Sequence, residues 1–219
     1  MSVGENRYLV IEGVIGAGKT SLCRLLSDRL KAQLVLEEVE ENPFLKDFYR
    51  DRETFAFQTQ MHFLFSRYQQ QRSLRQMDLF SERMVSDYLF QKDRIFANLN
   101  LSDRELMLYD AIAPQLESEI PAPDLVVYLQ ASPERIVERI QQRGRTYEKL
   151  MDPKYTATLA EAYNYFFFHF RDAPLLVVNT DEMNFVDRTN DLEDLIARIV
   201  SHKEGVAYVN PGARAEEAR

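Results

Sequence analysis

A chain of 219 residues, 45% hydrophobic and 28% charged, is long enough to bury one sizeable core and gives no reason to expect several domains. Its formal net charge of −8 excludes a broad nucleic-acid footprint, which needs a positive face, so an anion has to be bound locally. The single cysteine, Cys23, excludes a disulfide framework and reads as a packed thiol, and His62, His169 and His202 lack the spacing of a zinc site.

The first apolar run, Tyr8 to Ile11, predicts a strand. It leads into Gly13-Val14-Ile15-Gly16-Ala17-Gly18-Lys19-Thr20, which has the G-x-x-x-x-G-K-T form of a phosphate-binding loop. The glycines let backbone N–H groups turn toward an anion, Lys19 adds a mobile positive charge, and the Thr20 hydroxyl suits Mg²⁺. Leu22, Leu25, Leu26 and Leu30 then recur at helical spacing, so the helix dipole also faces the anion.

The second run, Leu34 to Leu36, ends in Glu37. Ligands of open parallel sheets sit beyond the carboxyl ends of the strands, which makes Glu37 a candidate general base beside the phosphate loop. Its neighbours Glu38, Glu40 and Glu41 leave a solvated acidic loop as the plainer alternative. The next helix, over about Phe55–Gln71, places Gln58, Met61 and Phe65 at i, i+3 and i+7 on one face, where an amide bordered by apolar surface suits a flat base. Phe63, Leu64 and Tyr68 read as core.

The third run, Met84-Val85-Ser86, ends in Asp87, an acid able to hold Mg²⁺ together with Thr20. Ser102-Asp103-Arg104-Glu105 is a capping-box pattern that opens a helix from Asp103 to about Leu116. After the fourth run, Leu125–Leu129, Ser132-Pro133 supplies a cap and a first-turn proline for a helix over Glu134–Gln142 that ends at Gly144. Arg135, Arg139 and Arg143 fall four apart there, followed by Arg145. Three of these can converge on a triphosphate as a mobile flap, although Arg135 and Arg139 can also pair with Glu134 and Glu138 on a solvated face.

Pro153 opens a long helix to Phe170. Leu175–Val178 is the fifth run, and a last helix covers Leu192–His202. Strands and helices alternating in this way predict an α/β fold, a P-loop kinase type with a parallel sheet of about five strands. The expected domain spans 1–204, with 205–219 a mobile tail.

The runs Ile11 to Thr20, Glu37-Glu38-Val39-Glu40-Glu41-Asn42-Pro43-Phe44-Leu45, Phe57-Gln58-Thr59 and Gln142-Arg143-Gly144-Arg145 together resemble the deoxynucleoside kinase family, above all its bacterial deoxyguanosine/deoxyadenosine branch. The resemblance extends from Tyr8 to about Val200. It implies ATP as phosphate donor with Mg²⁺, a deoxynucleoside phosphorylated at its 5′-hydroxyl for nucleotide salvage, and a homodimer. Helices Asp103–Leu116 and Phe55–Gln71 are plausible interface elements.

The same resemblance implies that Glu37 is the base, that Tyr49 and Glu148 bind the 3′-hydroxyl, and that Arg139, Arg143 and Arg145 form the phosphate-clamping lid. It further implies that Gln58 reads the nucleobase edge beside Phe57, with Asp93 a base-proximal acid that favours purines. Where many relatives carry acid-Arg-Ser, this chain has Asp87-Tyr88-Leu89, with Lys92 or Arg94 as nearby substitutes for the arginine.

Two other readings stay open at this point. A nucleoside-monophosphate kinase of the thymidylate type also joins a phosphate loop to an arginine lid, but needs basic residues at the acceptor rather than Glu37. A nucleotide-sensing module without turnover would more naturally have lost Lys19, Glu37 or a lid arginine. No apolar run is long enough to span a bilayer, and Met1 to Arg7 leads charged into the first strand, so neither a membrane span nor a signal peptide is expected and the location is expected to be cytoplasmic.

Overall fold

A computed structural model describes residues 7–77, 83–145 and 152–210. Six parallel strands form one sheet in the order β2-β3-β1-β4-β5-β6, comprising β1 (Tyr8–Gly13), β2 (Gln33–Val35), β3 (Met84–Ser86), β4 (Leu125–Gln130), β5 (Leu175–Asn179) and β6 (Val206–Val209). Because β1 feeds β2 on one side while β4 lies on the other, the sheet reverses its winding at β1. A crevice opens there beyond the strand ends.

Alternate residues of each strand serve opposite faces of the sheet. Tyr8, Val10, Val126, Tyr128, Leu175 and Val177 pack on one side. Among the helices there are α3 (Arg52–Met77), α4 (Lys92–Asn100), α6 (Pro133–Arg143) and α7 (Pro153–His169). Leu9, Ile11, Val127, Leu129, Leu176 and Val178 pack on the other side with α1 (Lys19–Leu30) and α8 (Thr189–Ser201). The short α2 (Leu45–Arg50) precedes α3, and α5 (Asp103–Glu117) packs beside α3 and α4. On the first face the Tyr128 and Phe167 rings stack at 4.2 Å, which fastens α7 over β4.

The helix signals fall where the chain places them. Ser102 and Glu105 form the capping box of α5, the Ser132 hydroxyl accepts the Arg135 N–H, and Gly144 closes α6 with φ of 71°. Two short helices, α2 and α4, lie in stretches where no helix was expected.

The expected five strands become six. Val206–Val209, assigned to a mobile tail, pairs in parallel with β5 from Leu175↔Val206 to Val178↔Val209. As an edge strand it has only Val209 buried, so the sequence carries little hydrophobic signature of its pairing. Residues 211–219 lie outside the described residues. No described helix is long and apolar enough to cross a membrane.

Candidate active site

At the end of β1 the chain passes so close to β4 that a Cβ on Gly13 would stand 2.6 Å from the Leu129 carbonyl oxygen. Gly18, at φ of 100°, opens α1 in a left-handed conformation that side chains avoid. The loop between them is therefore bare backbone followed by a helix N-terminus, the ordinary makings of an anion cradle. Lys19 Nζ donates to the carbonyls of Gly13 at 2.7 Å and Val14 at 3.2 Å. Burial lowers its pKa, with Lys92 acting in the same direction and Glu12, Asp87 and Glu37 opposing.

Gly16 to Ser21 line an open cleft that also takes in Arg139, Arg143, Arg145 and Phe185. Its free volume is about 780 Å³, within the range of ordinary ligand sites. Arg139 is fastened at the rim, donating to the Thr180 carbonyl at 2.6 Å and the Thr180 hydroxyl at 3.0 Å. Arg135 pairs with Glu138 at 2.6 Å and donates to the Asp181 carbonyl. It pairs as the surface alternative has it while still bordering the cleft, whereas Arg143 and Arg145 border both this cleft and the neighbouring cavity.

That second cavity, about 220 Å³ in volume, lies between the ends of β2 and β3 and helices α3 and α4. Asp87 joins it to the phosphate loop, since one carboxylate oxygen accepts the Thr20 hydroxyl at 2.6 Å and the other accepts the Glu37 N–H at 2.8 Å. Glu37 is thereby set beside the loop that Thr20 ends. Its side chain is met by Lys92 Nζ at 2.6 Å and by the Arg67 guanidinium at 2.6 Å. Burial alone would raise its carboxyl, but Lys92 and Arg67 hold it down to about 2, so Glu37 is a carboxylate.

Arg67 also pairs with Asp93, and its guanidinium lies over the Phe63 ring at 4.7 Å. Gln60 donates both amide hydrogens to Asp93, at 2.8 Å to the carbonyl and 2.7 Å to Oδ2. The opposite amide orientation would set an oxygen against these two acceptors, so the Gln60 carbonyl is the group left for the cavity. Burial pushes the Asp93 carboxyl up, and Arg67 opposes that.

The face of α3 that borders the cavity is Ala56, Thr59, Gln60, Phe63 and Arg67. The expected face of Gln58, Met61 and Phe65 is displaced by two positions, about 200° around a helix. Gln58 and Phe65 are exposed, Met61 packs with Leu64 and Tyr109 away from the cavity, and Phe57 does not line it. Phe63, read as core, is cavity wall. The displacement has a physical cause: α3 buries Thr59, Gln60, Arg67 and Gln71, and buried polar residues read in a sequence as solvent face. The i, i+4, i+7 and i+11 recurrence of Ala56, Gln60, Phe63 and Arg67 was the available signal.

Asp93 does not line the cavity either. Its oxygens are taken by Arg67 and Gln60, so it acts through them. Of the two proposed stand-ins for the arginine replaced by Tyr88, Lys92 enters the site and Arg94 instead pairs with Asp110 at 3.3 Å. Tyr49 lines the cavity with Asn100, Tyr155 and Tyr163. Glu148 lies outside the described residues.

A base-sized cavity tied through one carboxylate to a phosphate loop calls for a two-substrate site. The sequence profile of the deoxynucleoside kinases matches residues 9–203. The chain belongs to the deoxynucleoside kinase family. A deoxyguanosine kinase of Bacillus subtilis is 33% identical over 88% of this chain and 95% of its own length. A deoxyadenosine kinase of Dictyostelium discoideum is 35% identical over 94% of this chain and 83% of its own. Among solved structures, deoxyadenosine kinase from M. mycoides with bound dATP superposes with a TM-score of 0.75 at 27% identity, covering 88% of this chain and 98% of that one. The protein is a kinase, and membership of this family implies ATP as its phosphate donor.

Proposed function

We propose that this deoxynucleoside kinase transfers the γ-phosphoryl group of ATP to the 5′-hydroxyl of a purine deoxynucleoside. The observation that carries the reading is the Thr20–Asp87–Glu37 link, which sets an ionised carboxylate in a base-sized cavity next to the phosphate loop. ATP occupies the loop cleft, with Lys19, Arg139, Arg143 and Arg145 around its phosphates. The deoxynucleoside enters the side cavity with its sugar between Glu37 and Tyr49. The Gln60 carbonyl then accepts a base N–H, and Phe63 offers an aromatic wall.

Glu37 accepts a hydrogen bond from the 5′-hydroxyl and orients that oxygen in line with the γ-phosphorus. As the new O–P bond forms and the bond to ADP breaks, the hydroxyl proton passes to Glu37. A carboxyl held to about 2 is a weak proton acceptor. Its main contribution is therefore alignment, with proton transfer late, as suits a loose transition state. Thr20 and Asp87 supply the hard oxygen donors that suit Mg²⁺, which when bound neutralises phosphate charge. The purine preference draws on relatives named for deoxyguanosine and deoxyadenosine. The homodimer and cytoplasmic location implied by the resemblance belong to the same proposal.

A coupled ADP-release assay over the four deoxynucleosides and their monophosphates tests the reading. Turnover is expected with deoxyguanosine or deoxyadenosine and not with any monophosphate. Turnover with monophosphates alone contradicts it, and binding without any turnover marks a sensing module.

A further inference from the structure

Glu12 has no part in that scheme, yet it is the most enclosed acid near it. It lies at the end of β1, one residue before the loop glycine Gly13, with its side chain sealed from solvent. Its two oxygens serve different segments: Oε1 accepts the Gly13 N–H at 2.8 Å, and Oε2 accepts the Leu89 N–H at 2.7 Å. The Tyr163 hydroxyl stands 3.5 Å from Oε1. Lys92 Nζ lies 3.9 Å from Oε2, and the same ammonium meets Glu37 Oε2 at 2.6 Å.

One carboxylate therefore touches the start of the phosphate loop, the chain two residues past Asp87, and the cation that holds Glu37. Burying an acid costs several kcal/mol unless it is fully partnered, so packing alone gives no reason to have one here. Nor is an amide equivalent. A glutamine has one oxygen for two backbone donors and would turn its NH₂ against one of them.

We propose that Glu12 is a positioning residue of phosphoryl transfer: it holds Lys92 and the Asp87–Lys92 segment against the phosphate loop, and so sets where Glu37 stands relative to the bound triphosphate. This rests on the reading of Glu37 given above. The role costs nothing in single-substrate binding and acts when both substrates are aligned, because small misplacements of reacting groups are expensive.

The test compares Glu12→Gln, Lys92→Met, the two combined, and Glu37→Ala, measuring kcat, both KM values and the thermal midpoint. Glu12→Gln is expected to lower kcat by about 10²-fold while each KM stays within about threefold. The combined variant should lose far less than the product of the two single losses, since both changes loosen the same carboxylate.

A role confined to folding would lower the midpoint and leave kcat below it unchanged. That result, or losses that multiply, overturns the inference. If Glu12→Gln does not fold, Glu12→Asp decides: the shorter carboxylate cannot reach both the Gly13 and the Leu89 N–H, so a clear loss of kcat with both KM values kept supports the inference, and an unchanged kcat overturns it. Normal turnover in Glu37→Ala defeats the reading of Glu37 itself, whereas collapse there with normal turnover in Glu12→Gln defeats only the inference about Glu12.

Discussion

The phosphate-loop cleft and the side cavity sit next to each other and are made in opposite ways. The cleft is floored by one uninterrupted stretch, the loop that ends at Thr20, whose binding groups are backbone N–H donors, a helix terminus and a lysine, with Arg139, Arg143 and Arg145 at its sides. The cavity is built from side chains of α2, α3, α4 and α7 and of the segments after β2 and β3. Glu37, Arg67, Lys92 and Asp93 there neutralise one another, and all but the partly exposed Glu37 are buried. A backbone cradle tolerates loss of any one side chain around it, whereas a buried ion network stands only as a set, since removing one member strands another. The phosphate-loop half of this site is therefore robust and local. The side cavity, proposed to take the acceptor, is preorganised and cooperative.

Breaking the network is the harshest way to challenge that contrast. Arg67→Met leaves Asp93 without a cation and Glu37 with Lys92 alone, and should cost about 3–5 kcal/mol of stability, a fall of roughly 10 °C in the thermal midpoint. Arg143→Met, at the exposed end of α6, should shift stability by no more than about 0.5 kcal/mol. Calorimetric scans of the two variants check this, and equal effects would erase the distinction between the halves.

Gln60→Leu sharpens it on the acceptor side alone. Loss of its hydrogen bonds should raise the deoxynucleoside KM by about 10- to 100-fold, corresponding to roughly 1–3 kcal/mol, with the ATP KM kept. Gln58→Leu, two positions away on the exposed face, should change neither by more than about twofold. Steady-state kinetics that rank the two glutamines the other way would restore the face first expected for α3.

The smallest effect is in pH. Because the folded-state pKa of Glu37 is depressed from 4.5 to about 2, its ionisation stabilises the fold fully above the unfolded value, and that contribution is lost as pH falls from 4.5 toward 2. Burial pushes Asp93 and Glu12 the other way, so the total slope mixes signs and only a difference isolates Glu37. The parent should lose more of its thermal midpoint between pH 5 and 3 than Glu37→Gln does. Parallel curves would show that Glu37 is not held by its two cations.

What the sequence disclosed follows the same division. The loop could be read outright because its residues are contiguous, and so could the end of β2 at Glu37 and of β3 at Asp87. The capping box at Ser102 and Glu105 was equally local. The phase of α3 was not legible, because Gln60 and Arg67 are buried by partners distant in sequence, Asp93 and Glu37. Lys92 and Arg94 looked alike as substitutes for the arginine missing at Tyr88. Only the fold shows that the lysine turns into the cavity while the arginine meets Asp110 on the surface side of α5. β6 went unseen because an edge strand with one buried residue has no periodicity to show.

The role of Glu37 is what the whole account turns on, and a rapid-quench single-turnover measurement of Glu37→Gln addresses it most directly. Enzyme saturated with ATP and its preferred deoxynucleoside is stopped at intervals and the 5′-monophosphate counted. The predicted result is a transfer rate lower by about 10²-fold, as loss of alignment costs, with ATP affinity within about threefold of the parent. A transfer rate equal to the parent's would contradict it.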